Sequence, residues 1–101
     1  IAGSLTPKGR IRIDDGAVTA LQDARSLLPA GVVAVTGQFD RGDLIEVEDK
    51  AGAVIGHGLS SYSSDDAALI CGHKSNEIET VLGYRGRDEM IHADNLVISD
   101  T

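Results

Sequence analysis

The sequence predicts a mainly β domain: a small barrel of short, mostly antiparallel strands with short helices at its periphery. Three observations lead there. Apolar and polar residues alternate over short runs, as in Arg10-Ile11-Arg12-Ile13 and Ile45-Glu46-Val47-Glu48, the two-residue period of a half-buried strand. Glycines fall between these runs, where tight turns belong. Three brief stretches instead space their apolar residues at helical intervals, each too short to build a helical layer.

Taken in order, Ile1 to Gly9 holds Gly3, Pro7 and Gly9 and reads as a linker. A strand follows from Arg10 to Ile13. Asp14 or Asp15 caps a helix whose buried stripe is Ala17, Ala20, Leu21 and Ala24, and which ends before Pro29. Leu28 to Gly31 is a turn, and Val32 to Gln38 is a β-branched strand. Asp40-Arg41-Gly42-Asp43 turns the chain into the strand Leu44–Glu48. Asp49 to Gly52 is a hairpin loop, with Gly52 suited to positive φ. Ala53 to Tyr62 returns as a strand, where Gly56 and Gly58 mark a bulge or bend.

Two short helices come next. Ser64 caps the first, Asp65 and Asp66 favour its dipole, and Gly72 stops it. Ser75 caps the second and Gly83 stops it. Met90–His92 and Leu96–Ile98 are closing strands around Ala93-Asp94-Asn95.

A length of 101 residues suits one domain, which at this size buries roughly two-thirds of its unfolded surface. With 42% apolar and 25% charged residues, the chain reads as soluble and globular rather than disordered. No apolar run approaches the ~20 residues that cross a bilayer. No secretory leader is seen, and an Ile rather than a Met at position 1 suggests processing or truncation. The single Cys71 excludes an internal disulfide and favours a reducing compartment, so a cytoplasmic location is expected.

The net charge of −7 repels a polyanion at long range and argues against a general nucleic-acid binder. Local basic groups remain: Lys8, Arg10 and Arg12 near the start, and Lys74, Arg85 and Arg87 later. Phosphoryl transfer needs a phosphate cradle, metal-binding carboxylates and cationic stabilisation; no glycine-rich loop followed by Lys is present. His57, His73 and His92 lie far from one another, and none has zinc-like spacing to Cys71, so local hydrogen bonding is their expected role. Cys71 ends an apolar helix face and reads as an inert thiol. Ser60, Ser61, Ser63 and Ser64 read as strand-end and cap residues, and Arg41-Gly42-Asp43 as a turn.

Two sets of residues carry a family resemblance. Leu28-Pro29-Ala30-Gly31-Val32, followed by Gly42-Asp43-Leu44-Ile45-Glu46-Val47, resembles the core signature of PUA domains, with Ala30 splitting the usual Pro-Gly pair. Gly72-His73-Lys74-Ser75-Asn76-Glu77-Ile78, Leu82-Gly83-Tyr84 and Ile91-His92-Ala93-Asp94-Asn95-Leu96-Val97 resemble the C-terminal end of the glutamate 5-kinase family. Ser26-Leu27-Leu28-Pro29 and Tyr62-Ser63-Ser64 are similar to that family too.

The resemblance implies a PUA-type pseudo-barrel over 9–98, with 1–8 a linker from an absent kinase domain and 99–101 a tail. It implies a parent enzyme that phosphorylates the L-glutamate γ-carboxylate with ATP in the first step of proline synthesis. The catalytic residues, ATP and Mg²⁺ would belong to an N-terminal amino-acid kinase domain, leaving this segment without catalytic, cofactor or metal residues. Its implied partners are that kinase domain and further copies of the full-length enzyme. Its implied role is regulation or assembly.

The rival reading is an RNA-binding module. PUA domains of RNA-modifying enzymes bind RNA through the first helix, the following strand and nearby glycine loops. The matching region, about 14–36, offers Arg25 beside Asp14, Asp15 and Asp23, and no aromatic for base stacking. Arg10 and Arg12 are the further candidates, on the outer face of the first strand. The discriminating feature is whether these arginines converge on one face or are interleaved with acids.

Overall fold

A computed structural model of the chain describes residues 7–23, 25–84 and 86–98. Most of the linker, the tail, Ala24 of the helical stripe and the candidate Arg85 therefore lie outside the described residues. The strands are β1 (Gly9–Ile13), β2 (Val32–Gly37), β3 (Leu44–Glu48), β4 (Val54–Leu59) and β5 (Leu96–Ile98). The α-helices are α1 (Asp15–Gln22), α2 (Ser64–Ile70) and α3 (Ile78–Leu82), with 3-10 turns at Pro29–Gly31, Ser75–Glu77 and Ala93–Asn95. The fold is the expected mainly β one: a single mostly antiparallel five-stranded sheet with small helices around it.

The strand order is β2-β1-β3-β4-β5. Among the described residues only β1 and β3 pair in parallel, Arg10 opposite Glu46 and Arg12 opposite Glu48. A parallel pair needs a long crossover, here supplied by α1 and β2. The alternation seen in the sequence sets the faces. Ile11, Ile13, Ile45 and Val47 are fully buried on the inner side, while Arg10 and Arg12 lie outside. Leu21, Leu27, Phe39, Tyr62, Ile70 and Met90 are among the further members of the same aliphatic-rich core.

Asp14 is the cap of α1, its carboxylate accepting from the Ala17 amide at 2.7 Å. Its own amide donates to the Gly31 carbonyl at 3.0 Å, tying the helix start to the turn before β2. A Cβ on Gly31 would stand 2.6 Å from the Ala17 Cβ, so glycine lets turn and helix touch. Gly58 serves close approach in the same way: a Cβ there would meet the Asn95 carbonyl at 2.7 Å as β5 passes over β4.

Four local expectations are corrected. Met90–His92 makes only an isolated Leu27–Ile91 bridge, because Met90 and Ile91 divide their backbone groups between two segments. Ser61 donates to the Met90 carbonyl, while Leu27 donates to the Ile91 carbonyl and accepts from Met90. β4 ends at Leu59, since the Ser60 hydroxyl bonds its own turn, accepting from the Tyr62 amide at 3.2 Å and donating to the Tyr62 carbonyl. Ser63 rather than Ser64 caps α2, accepting from the Asp66 amide at 3.3 Å. Lys74, not Ser75, occupies the cap position of the next turn; the Ser75 hydroxyl donates to the Asp88 carbonyl. Gly72 and Gly83 end their helices at φ near +81°, as expected.

Candidate functional site

A groove of about 560 Å³ lies between α1 and the segment leading into β2. Asp14, Ala17 and Ala20 line it from the helix side, Arg25 to Leu28, Ala30 and Gly31 from the other, and Glu89 closes one edge. The floor is mostly apolar, and Leu28 is 46% exposed there. Arg25 is exposed, and its amide donates to the Ala20 carbonyl at 3.1 Å, which anchors its backbone to the end of α1. Among the described residues its guanidinium has no ion-pair partner. The wall is fixed by two bonds: the Gly31 amide donates to the Leu28 carbonyl, and the Gly72 amide to that of Pro29.

Arg10 and Arg12 lie elsewhere. They are side by side on the outer face of β1, and neither lines the groove that Arg25 borders. Each is committed to β3. Arg10 reaches Glu46 at 3.1 Å and Glu48 at 3.4 Å, and Arg12 reaches Glu48 at 3.2 Å. Glu48 is nearly buried beneath them. Its carboxylate thus accepts from two guanidinium groups, and the Glu46 hydrogen bond holds the Arg10 guanidinium above its ordinary pKa. The structure joins Arg10 with Arg12, interleaves them with acids, and leaves Arg25 in a separate groove.

Cys71, His73 and His92 are locally engaged, whereas His57 is an exposed side chain on β4. Cys71 is half-buried and donates to the Ala68 carbonyl at 3.2 Å. His73 lies 3.7 Å from Glu77, and His92 accepts from the Asp94 amide at 3.1 Å. Among the described residues no cluster of three or more His, Cys, Asp or Glu is arranged to hold a metal ion. No described helix is long and apolar enough to cross a membrane.

Sequence reasoning located Arg25 beside the first helix but missed the apolar floor and Glu89. The pairing of Arg10 and Arg12 was foreshadowed by the equal spacing of Glu46 and Glu48, yet it depends on a parallel β1–β3 register that no local pattern encodes.

The comparisons with known proteins agree with this architecture. The family model described as the PUA domain matches residues 9–82. Glutamate 5-kinase of Paramagnetospirillum magneticum is 54% identical over 98 residues, which is 97% of this chain and 26% of the relative. Glutamate 5-kinase of Agrobacterium fabrum is 54% identical over 99 residues, 98% of this chain and 25% of the relative. The match falls on the C-terminal portion of these enzymes, and the chain spans about a quarter of their length.

Among solved structures, a PUA domain protein of Aeropyrum pernix, in a tartrate complex, superposes with a TM-score of 0.60 at 26% identity, covering 84% of this chain and 42% of that one. A chain of the archaeal box H/ACA Nop10–Cbf5 complex superposes at 0.59 with 19% identity, covering 92% and 24%, and attests the fold alone. With its family model matched across β1 to α3 and its sheet order in place, the chain belongs to the PUA domain family.

Proposed function

We propose that this domain is the non-catalytic regulatory and assembly module of a glutamate 5-kinase. The parent reaction is transfer of the ATP γ-phosphoryl group to the γ-carboxylate of L-glutamate, the entry step of proline biosynthesis, in the cytoplasm. The observation that carries the reading is the 54% identity over 98 residues, confined to about a quarter of the relative's length. In this proposal ATP and Mg²⁺ belong to an amino-acid kinase domain preceding this one. The module's partners are that kinase domain and further copies of the enzyme, and its effect is on assembly, Mg²⁺ dependence or the response to proline. The test is to prepare this chain and the kinase segment separately. The chain alone is expected to form no γ-glutamyl phosphate but to bind the kinase segment. Phosphorylation by the chain alone, or no binding together with no change in kinase behaviour, contradicts the reading.

RNA binding through the α1 groove is the second reading. The exposed Arg25 without an ion-pair partner among the described residues favours it. The commitment of Arg10 and Arg12 to Glu46 and Glu48 weighs against a wider basic surface.

A further inference from the structure

A second concave surface lies at the other end of the sheet from α1. Ile13, where the chain leaves for α1, pairs with Val32, whereas Gly9 at the opposite end of β1 pairs with Gly37 and Ile45. Leu44, next to Ile45, pairs with Leu59. The Asp40–Asp43 turn and the Ser60–Ser61 corner therefore sit together at the Gly9 end. Two contiguous depressions of about 480 and 400 Å³ open there, and Arg41, Ser61 and Arg87 line both. His92 and Asn95 add an imidazole and a carboxamide to the first.

The geometry is built rather than incidental. The Gly42 amide donates to the Ser60 carbonyl at 2.8 Å and the Ser60 amide to the Asp43 carbonyl at 3.0 Å, fixing the Arg41 turn against the corner. The Ser61 amide donates to the Met90 carbonyl at 2.9 Å. The buried Tyr62 hydroxyl donates to the Arg87 carbonyl, fixing the loop that carries the second arginine. Neither Arg41 nor Arg87 has an ion-pair partner among the described residues. The carboxylate that lines the first depression, Asp94, lies 3.6 Å from the His92 ring. Beside the second, Asp66 accepts from the Tyr84 hydroxyl at 2.7 Å, and the charges of Asp88 and Glu89 act on the Tyr62 phenol.

We propose that Arg41 and Arg87, with Ser61 on the same lining, form a binding site for a small oxyanion, a compact carboxylate- or phosphate-bearing molecule. Guanidinium groups match both oxyanions through paired N–H donors, and a hydroxyl adds a third donor. The overall charge of −7 and the flanking acids select for size. A polyanion would meet repulsion along its length, whereas one compact anion sees mainly the two arginines.

The test titrates the ¹⁵N-labelled chain with inorganic phosphate and, separately, malonate, at constant ionic strength with sodium chloride as the reference. The expected result is saturable amide shifts centred on Arg41, Ser61, Arg87 and His92 with at least one of the two anions. Whichever binds tighter assigns the ligand class. Arg41→Gln should weaken binding by about tenfold, as for loss of a charge-assisted hydrogen bond, and Lys50→Gln, on the exposed loop at the far end of β3, should leave it unchanged. Because Arg41 sits on an exposed turn, its replacement leaves the fold in place, and the variant's unperturbed core resonances verify this. Shifts that match chloride, never saturate, or survive Arg41→Gln overturn the proposal.

Discussion

Arg10 and Glu46 face each other across the parallel pair of β1 and β3, Nη2 to Oε1 at 3.1 Å, and the same guanidinium reaches Glu48 at 3.4 Å. Arg12 meets Glu48 from the other side at 3.2 Å. The relationship is asymmetric, because the arginines are nearly half exposed while the Glu48 side chain is only 8% exposed. An exposed guanidinium that loses its partner rehydrates; a buried carboxylate that loses both partners does not. Arg10→Ala and Arg12→Ala should each be mild, since the other arginine remains. The double replacement should cost more than the sum, with about 1–3 kcal/mol attributable to stranding Glu48. Urea denaturation of the four-member cycle measures the coupling, and simple additivity contradicts this account.

The contact between Gly31 and α1 gives a steric prediction. Gly31→Ala places a Cβ 2.6 Å from the Ala17 Cβ, and the clash should cost about 1–3 kcal/mol. Ala17→Gly in the same chain vacates that space. The double variant should recover stability beyond the sum of the single effects, even though glycine within a helix is itself unfavourable by about 1 kcal/mol. Thermal denaturation of the three variants decides it.

Tyr62 gives a pH prediction. Burial foremost, and then the charges of Asp88 and Glu89, raise its pKa above the usual phenol value. The folded state therefore holds the phenolic proton more tightly than the unfolded one. Its contribution is complete below the unfolded pKa of about 10 and is lost as pH rises through the higher folded value. Tyr62→Phe removes the hydrogen bond to the Arg87 carbonyl, at a cost of about 0.5–1.5 kcal/mol near neutral pH. It should also flatten the alkaline decline in stability. Parallel pH–stability curves for the two proteins contradict the assignment.

Much of the fold was legible because its determinants are local. β3 spans Leu44–Glu48 as its alternation indicates, and Asp14, Gly72 and Gly83 cap or stop helices by chemistry confined to a few residues. What was not legible depends on contacts distant in sequence. Met90–His92 carries a strand-like apolar pattern, yet its backbone is shared between Ser61 and Leu27, so no ladder forms. The candidate site divides the same way. Arg25 follows from the family resemblance, which points to the region of the first helix, whereas the neutralisation of Arg10 and Arg12 required the parallel register of β1 on β3.

The arginines also separate under an RNA titration. If RNA binds at the α1 groove, Arg25→Ala should weaken it and reduce its salt dependence, while Arg10→Ala and Arg12→Ala should act mainly on stability. Binding by fluorescence anisotropy at low and physiological salt measures both effects. Equal losses for all three variants, with folding intact, would mean that the ion pairs to Glu46 and Glu48 open to admit phosphate.

The central claim, that this domain tunes a kinase without performing its chemistry, is tested most directly by deleting 9–98 from the full-length enzyme. Glutamate phosphorylation, inhibition by proline, Mg²⁺ dependence and oligomeric state are then compared with those of the intact protein. The account predicts that phosphoryl transfer persists while at least one of the other three properties changes. Identical kinetics, feedback and assembly, or abolition of phosphoryl transfer in a kinase segment that remains folded, would contradict it.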